Sequence, residues 1–308
     1  MRNTFAFFVL TAAAFGQLPD QRIADLTELI QRKPDFAGAY YARGVTLLAA
    51  GQYSNAEQDL SEVVELKPDA TAYASRAEVY AAMKRYDQEI ADLTMAISMK
   101  PGNVSYYLRR ANSHRLNGGC QAAILDYSEV IGRGPSEAAY RGRSICRKQL
   151  GDAAGAAEDE RVVEQMKAML IVPGPVPLAP IPNPPPRGFT PPVFPPPSGV
   201  GGRPPVASPS PENVYRIGGG VSQPSILFKV EPEYSEEARK AKWQGTVSLS
   251  LVVSEFGEPL SIKVVKSLGL GLDEQAIAAV QKWVFKPGRK DGQPVAVYAN
   301  IQVTFKLL

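Results

Sequence analysis

Two hydrophobic periods divide the chain. Over residues 17–172 apolar side chains recur at spacings of three and four, as in Ala56, Leu60 and Val63 or Ala123, Tyr127 and Val130, which places them on one face of amphipathic helices. Beyond residue 245 the period falls to two. Val247, Leu249, Leu251 and Val253 alternate with Ser248, Ser250 and Val252, and Leu260, Ile262 and Val264 repeat the alternation after a turn marked by Gly257 and Pro259. The two runs predict a hairpin with one core face. Asp273 and Glu274 open a helix with Ala276, Ile277, Val280 and Trp283 on a shared face. After Asp291-Gly292 a last strand carries Val295, Val297, Ala299, Ile301, Val303 and Phe305 in strict alternation. Three strands with helices on one face predict a small α+β layer.

The helical segment also repeats itself with a period of 33 or 34 residues. Tyr40, Tyr73, Tyr107 and Tyr140 each precede an arginine by three positions (Arg43, Arg76, Arg110, Arg143), and the next residue is always small. Tyrosine and arginine therefore share one face of a first helix. A second helix follows in each unit. Pro34, Pro68, Pro101 and Pro135 close the units, since proline cannot continue a helix interior. This period and these positions resemble tetratricopeptide repeats. Four units are recognisable, and Pro19 to Pro34 resembles the second helix of a truncated fifth. Glu89 departs from the pattern, at a position that is alanine in the other three units.

An aspartate follows each of those arginines by sixteen residues: Asp59, Asp92, Asp126 and Asp159. A matched acid in every copy predicts an ion pair between the two helices of a unit. Arg109, Arg115, Arg141, Arg147 and Lys148 fall in the region expected to line the concave surface of a repeat array. They would favour an acidic peptide, and a solvated charged face is the competing reading. In the repeat register Cys120 begins a second helix and Cys146 lies late in the following first helix. Adjacent antiparallel helices bring such positions together, which predicts a disulfide.

Composition adds a linker and an export signal. Seventeen of the thirty-nine residues from Pro173 to Pro211 are prolines. Such a segment cannot bury a core and favours extended polyproline geometry, with an upper reach of about 120 Å at ~3.1 Å per residue. At the amino terminus Arg2 precedes an apolar run from Phe5 to Phe15, with Ala14 and Gly16 at the small positions of a cut before Gln17. That is a secretory-signal pattern. The run is about eleven residues, short of the roughly twenty needed to span a bilayer, and an uncleaved membrane anchor is the alternative. Export makes an oxidising compartment and a Cys120–Cys146 bridge the natural reading. The net charge of +3 leaves no nucleic-acid footprint.

The carboxy-terminal residues carry a second resemblance. The run Pro232-Glu233-Tyr234-Ser235-Glu236-Glu237-Ala238-Arg239, Gln244-Gly245-Thr246-Val247, Gly271-Leu272-Asp273, Trp283-Val284-Phe285-Lys286-Pro287 and Gly292-Gln293-Pro294-Val295 occur in order. Together they resemble the TonB carboxy-terminal domain. Ser235 stands where the family usually has proline, and serine can cap the following helix. The fold class is therefore multidomain: all-α tetratricopeptide-type repeats, then a small α+β TonB-like domain with a three-stranded antiparallel sheet. The divisions are 1–16 signal peptide, 17–172 repeats, 173–211 linker and 212–308 TonB-like domain. In the family this domain resembles, it grips a short segment of an outer-membrane transporter by strand pairing, while an inner-membrane anchor couples it to a proton-driven motor. The resemblance implies that the last strand is an edge, with Val295, Val297, Tyr298, Asn300, Gln302 and Thr304 as the peptide-binding set.

No constellation for catalysis is visible. His114 is the only histidine and takes a packing position of a first helix, and Gly218-Gly219-Gly220 lacks the residues of a phosphate loop. No metal site and no cofactor are expected. The sequence reads as a non-enzymatic periplasmic adaptor with protein partners. Its repeats would bind an unknown peptide or protein, and its TonB-like domain an extended peptide of a TonB-dependent outer-membrane transporter. The alternative is an energy transducer anchored in the inner membrane.

Overall fold

A computed structural model describes residues 19–171 and 214–307. The signal reading of residues 1–16 and the linker reading of 173–211 lie outside the described residues. The described chain forms two compact units, one of α1–α3 with the carboxy-terminal strands and helices and one of α4–α9.

The helices are α1 (Pro19–Arg32), α2 (Ala37–Ala49), α3 (Tyr53–Leu66), α4 (Ala70–Ala82), α5 (Tyr86–Met99), α6 (Val104–Leu116), α7 (Cys120–Arg133), α8 (Glu137–Gln149) and α9 (Ala153–Ile171). They pair as α2/α3, α4/α5, α6/α7 and α8/α9, and α1 takes the place of the second helix expected from the sequence, its first-helix partner not being among the described residues. Polar residues beside the closing prolines cap three first helices. Asp69, Asn103 and Ser136 accept from the backbone N–H of Ala72, Ser105 and Ala139, satisfying donors that a helix start leaves unpaired. The turn inside each pair needs a left-handed residue. Gly51, Gly118 and Gly151 supply it at φ +74°, +79° and +82°, and Lys84 occupies the equivalent place at φ 57°.

Each repeat arginine grips its aspartate with two hydrogen bonds. Arg43 donates from Nε to Asp59 Oδ2 at 2.8 Å and from Nη2 to Oδ1 at 2.7 Å. Arg76–Asp92, Arg110–Asp126 and Arg143–Asp159 repeat the fork. The four aspartates are between 1% and 6% exposed. Each arginine also lies over the ring of the tyrosine one turn before it, at 5.5–5.9 Å. Three of them reach back to a hydroxyl of the preceding second helix: Arg43 to Thr27, Arg110 to Thr94 and Arg143 to Ser128. The ion-pair reading of the spacing is thus what the structure contains. In the unit of α4–α9, Tyr127 fills a place that is leucine in earlier copies, and Gly142 makes room for it: a Cβ there would lie 2.2 Å from the phenol ring. Cys120 and Cys146 face each other across α7 and α8 with Cα atoms 5.0 Å apart, inside the window that a disulfide spans.

The carboxy-terminal part contains β1 (Val214–Tyr215), β2 (Ser225–Phe228), α10 (Glu236–Lys240), β3 (Gly245–Val253), β4 (Pro259–Lys266), α11 (Leu272–Val280), β5 (Val284–Lys286), β6 (Gly288–Lys290) and β7 (Gln293–Phe305). The three predicted strands are β3, β4 and β7, paired antiparallel with β3 in the middle. The sheet is larger than expected from the sequence. β1 adds to β7 in parallel and β6 adds to it antiparallel, giving five strands of mixed direction, while β2 and β5 form a separate pair. The four extra strands are two to four residues long, too short to show a period. The inner faces of β3 and β7 pack on Leu272, Ala276 and Val280 of α11 and on Trp283 and Phe285. Trp283 Nε1 donates to Val230 O at 2.8 Å. Ser235 caps α10 by accepting from Ala238 N at 3.1 Å, so the departure from the family's proline preserves the helix start. Gly257, at φ +82°, lets the β3–β4 turn press onto β5: a Cβ would sit 1.9 Å from Phe285 O.

Within the same compact unit, β2 and β5 share a core with α1 and α2. Leu227 and Val284 are buried with Leu26, Leu29, Ile30 and Phe36. Lys286 Nζ donates to both oxygens of Asp25, at 3.0 and 3.1 Å. Arg289 pairs with Glu28, and Lys33 with Glu258. Tyr41 meets Phe228 edge to face at 5.6 Å.

Because breaking a buried pair leaves a bare charge inside, Arg110→Met is expected to lower the unfolding free energy by about 3–5 kcal/mol. Arg110→Met combined with Asp126→Leu should recover most of that loss. Denaturant unfolding followed by circular dichroism measures both, and a loss under about 1 kcal/mol for the single variant would contradict the role assigned to the pair.

Candidate peptide-binding surfaces

The last strand has two sides. On one it pairs with β3 without interruption from Val297 to Phe305. On the other it pairs with β6 over Gln293 to Val295 and with β1 at Ala296 and Val297. Among the described residues, no strand pairs with that outer side from Tyr298 to Phe305. Of the six residues singled out in the sequence, Tyr298, Asn300, Gln302 and Thr304 lie on this open stretch and are exposed, whereas the backbone at Val295 and Val297 is already covered by β6 and β1. Val297, Ala299, Ile301, Val303 and Phe305 point into the core at 2% exposure or less. The alternation breaks at Val295, which is half-buried, and Ala296, which is buried, where the added strands cover the second face as well.

The sheet's opposite edge is β4, and its chemistry differs. It starts at Pro259, its register against β3 shifts twice, and it carries Lys263 and Lys266. Proline, irregular pairing and lysine are what natural sheets place on an edge that must not pair. The open stretch of β7 carries none of them. Thr246 and Thr304 hydroxyls meet at 3.2 Å across β3 and β7, so this end of the strand is fixed on its paired side.

The basic residues singled out on the repeats are engaged with the protein itself. Arg141 pairs with Glu137 one turn away. Arg147 donates to Asp159 Oδ2 and to Gly155 O, both at 3.0 Å, and Lys148 pairs with Glu160. Arg115 Nε donates to the Tyr127 hydroxyl at 3.3 Å, and that hydroxyl donates to Asn112 Oδ1 at 2.7 Å. Arg109 donates to Ala74 O at 3.2 Å and neighbours Glu89.

Glu89 was legible only as a departure from the repeat. It is 5% exposed, and burial raises its pKa while a hydrogen bond with Ser113 and the charge of Arg109 pull it back. Arg109 thus compensates the one acid standing where the repeat has alanine. His114 is half-buried, and burial lowers its pKa, as suits a packed imidazole. Among the described residues, no group of His, Cys, Asp and Glu is placed to hold a metal, and no helix is long and apolar enough to cross a membrane.

The family described as Gram-negative bacterial TonB protein C-terminal matches residues 230–307. The tetratricopeptide repeat family matches residues 23–70 and 41–104. Protein tonB2 of Pseudomonas aeruginosa is 35% identical over 82 residues, which is 26% of this chain and 30% of that protein. Protein TonB of Vibrio cholerae serotype O1 is 34% identical over 89 residues, 28% of this chain and 36% of that protein. The chain spans about a third of the length of these curated relatives. A solved structure, MamA 41-end from Desulfovibrio magneticus RS-1, superposes at a TM-score of 0.47 and 17% identity over 49% of this chain and 86% of its own. Modules of both kinds are in general non-enzymatic and work through protein partners. With the repeat family on the amino-terminal helices and the TonB family on the carboxy-terminal sheet, the chain is a tetratricopeptide-repeat protein with a TonB-like carboxy-terminal domain.

Proposed function

We propose that this protein is a non-enzymatic adaptor of the Gram-negative periplasm that captures an extended peptide by strand addition to β7, the peptide coming from an outer-membrane transporter. The observation that carries this reading is the backbone edge of β7 from Tyr298 to Phe305, which pairs with β3 on one side and, among the described residues, with no strand on the other. Its contrast with the blocked β4 edge supports the same side. In this reading residues 1–16 direct export, 17–172 form the repeat domain, 173–211 connect, and 212–308 capture the peptide. The repeats bind a second protein.

Strand addition draws its affinity from backbone groups and its selectivity from alternate side chains. About five added hydrogen bonds at roughly 1 kcal/mol each, offset by ordering the peptide, give a dissociation constant in the micromolar to millimolar range. Tyr298, Asn300, Gln302 and Thr304 are neutral, so selectivity would come from shape and hydrogen bonding more than from charge.

Edge and core variants should separate binding from stability. A proline at Gln302 or Thr304, whichever directs its N–H outward, is expected to abolish binding of a fluorescent transporter-plug peptide to the full chain while the fold survives. Val303→Ala should lower stability by about 2 kcal/mol and leave binding to the folded protein intact. Unchanged anisotropy titrations for both proline variants would move the site off this strand. A second expectation follows from export. Protein taken from its native compartment and denatured without reductant should show no free thiol, with Cys120 joined to Cys146, and two titratable thiols would refute the bridge.

A further inference from the structure

We propose that the TonB-like domain caps α1, the first described helix of the repeats, through Lys286 and the β2–β5 pair, making there the contacts that a repeat's first helix makes with its second. The repeat register identifies the position. Asp25 precedes Asp59 by 34 residues, as Asp59, Asp92, Asp126 and Asp159 follow one another at 33 or 34. It is the ladder's acid in α1, and it is buried at 7% exposure like the others. The ladder places each acid's cation sixteen residues earlier, and the residue sixteen before Asp25 is Val9. The cation comes instead from 261 residues later: Lys286 Nζ lies 3.0 and 3.1 Å from the two carboxylate oxygens, the same two-oxygen grip that the arginines give.

The apolar neighbour agrees. Leu26 follows Asp25 as Leu60, Leu93 and Tyr127 follow their aspartates, and each of these side chains is fully buried. In complete units that position meets the unit's own first helix, as Leu60 does beside Gly44 and Tyr127 does at Asn112 and Arg115. In α1 the burial is completed by Leu227 of β2 and Val284 of β5. The end of a repeat array presents an apolar face that needs a cap, and here the chain's own second module lies against it. Arg289–Glu28 and Lys33–Glu258 flank the contact. The contacts come from β2, β5, Arg289 and the β3–β4 turn, so capping and strand capture use different parts of the domain.

The test uses the full chain with a specific protease site inserted between Pro197 and Ser198. After cleavage, the two pieces of the wild-type chain should co-migrate on size exclusion at micromolar concentration and about 0.1 M salt. Lys286→Glu, at a side chain 39% exposed and so outside the domain core, should weaken the association at least about tenfold with both pieces still folded by circular dichroism. Asp25→Lys should do the same, and Asp25→Lys with Lys286→Glu should restore co-migration. Lys286→Arg should retain it. Separation of the wild-type pieces, or a double exchange no better than the single ones, overturns the proposal. An intact chain that runs as a dimer whose cut pieces stay joined across copies overturns capping by the chain's own domain.

Discussion

A carboxylate taken out of water must be paired, and this chain meets that requirement at the same place in one helix after another. The aspartate sits on the inner face of each second helix, almost fully buried, and a cation held at the right height must reach both oxygens. That demand fixes the arginine one turn after a tyrosine on the first helix, the tyrosine ring that packs against it, and the small residue beside it that lets the helices close. The hydroxyls of Thr27, Thr94 and Ser128, which receive the guanidinium's remaining prong, tie Arg43, Arg110 and Arg143 to the previous second helix as well. The repeat period is the spacing at which this arrangement can recur.

The same demand at the beginning of the array links the two modules. In α1 the aspartate and the leucine beside it are present, and the TonB-like domain brings a lysine and two apolar side chains to them. A domain joined only by a proline-rich segment would sample a wide volume. One that caps the first described repeat helix would present β7 from a fixed base. Within that domain the two sheet edges are built differently. β4 is interrupted by proline, shifted register and lysines, whereas the outer half of β7 is long, regular and neutral. A sheet that leaves one edge open while blunting the other has a preferred side for a partner strand.

Much of this was legible in the sequence because it depends on local spacing. The tyrosine–arginine–aspartate register, the closing prolines, the cysteine pair and the alternation along β3 and β7 all involve residues within a few dozen positions. What was not legible lacks a local signal. β1 and β6 are too short to show a period, which is why three strands were expected where the sheet has five. Lys286 looks like any lysine beside a family motif until folding brings it to Asp25. Glu89 read as a defect, and its compensation by Arg109 and Ser113 depends on a neighbouring helix pair. The five basic residues assigned to a ligand surface each also contact a carboxylate, a carbonyl or a phenol of the same chain, which spacing alone does not show.

The central claim is that a cation from the carboxy-terminal domain does for Asp25 what the repeat arginines do for the other aspartates. A double-mutant cycle on the unfolding free energy of the full chain, with Asp25→Asn, Lys286→Met and the pair together, tests it most directly. Coupling of about 1–3 kcal/mol between the two positions is the predicted result. Losses that simply add would contradict it, because residues without a shared interaction do not couple.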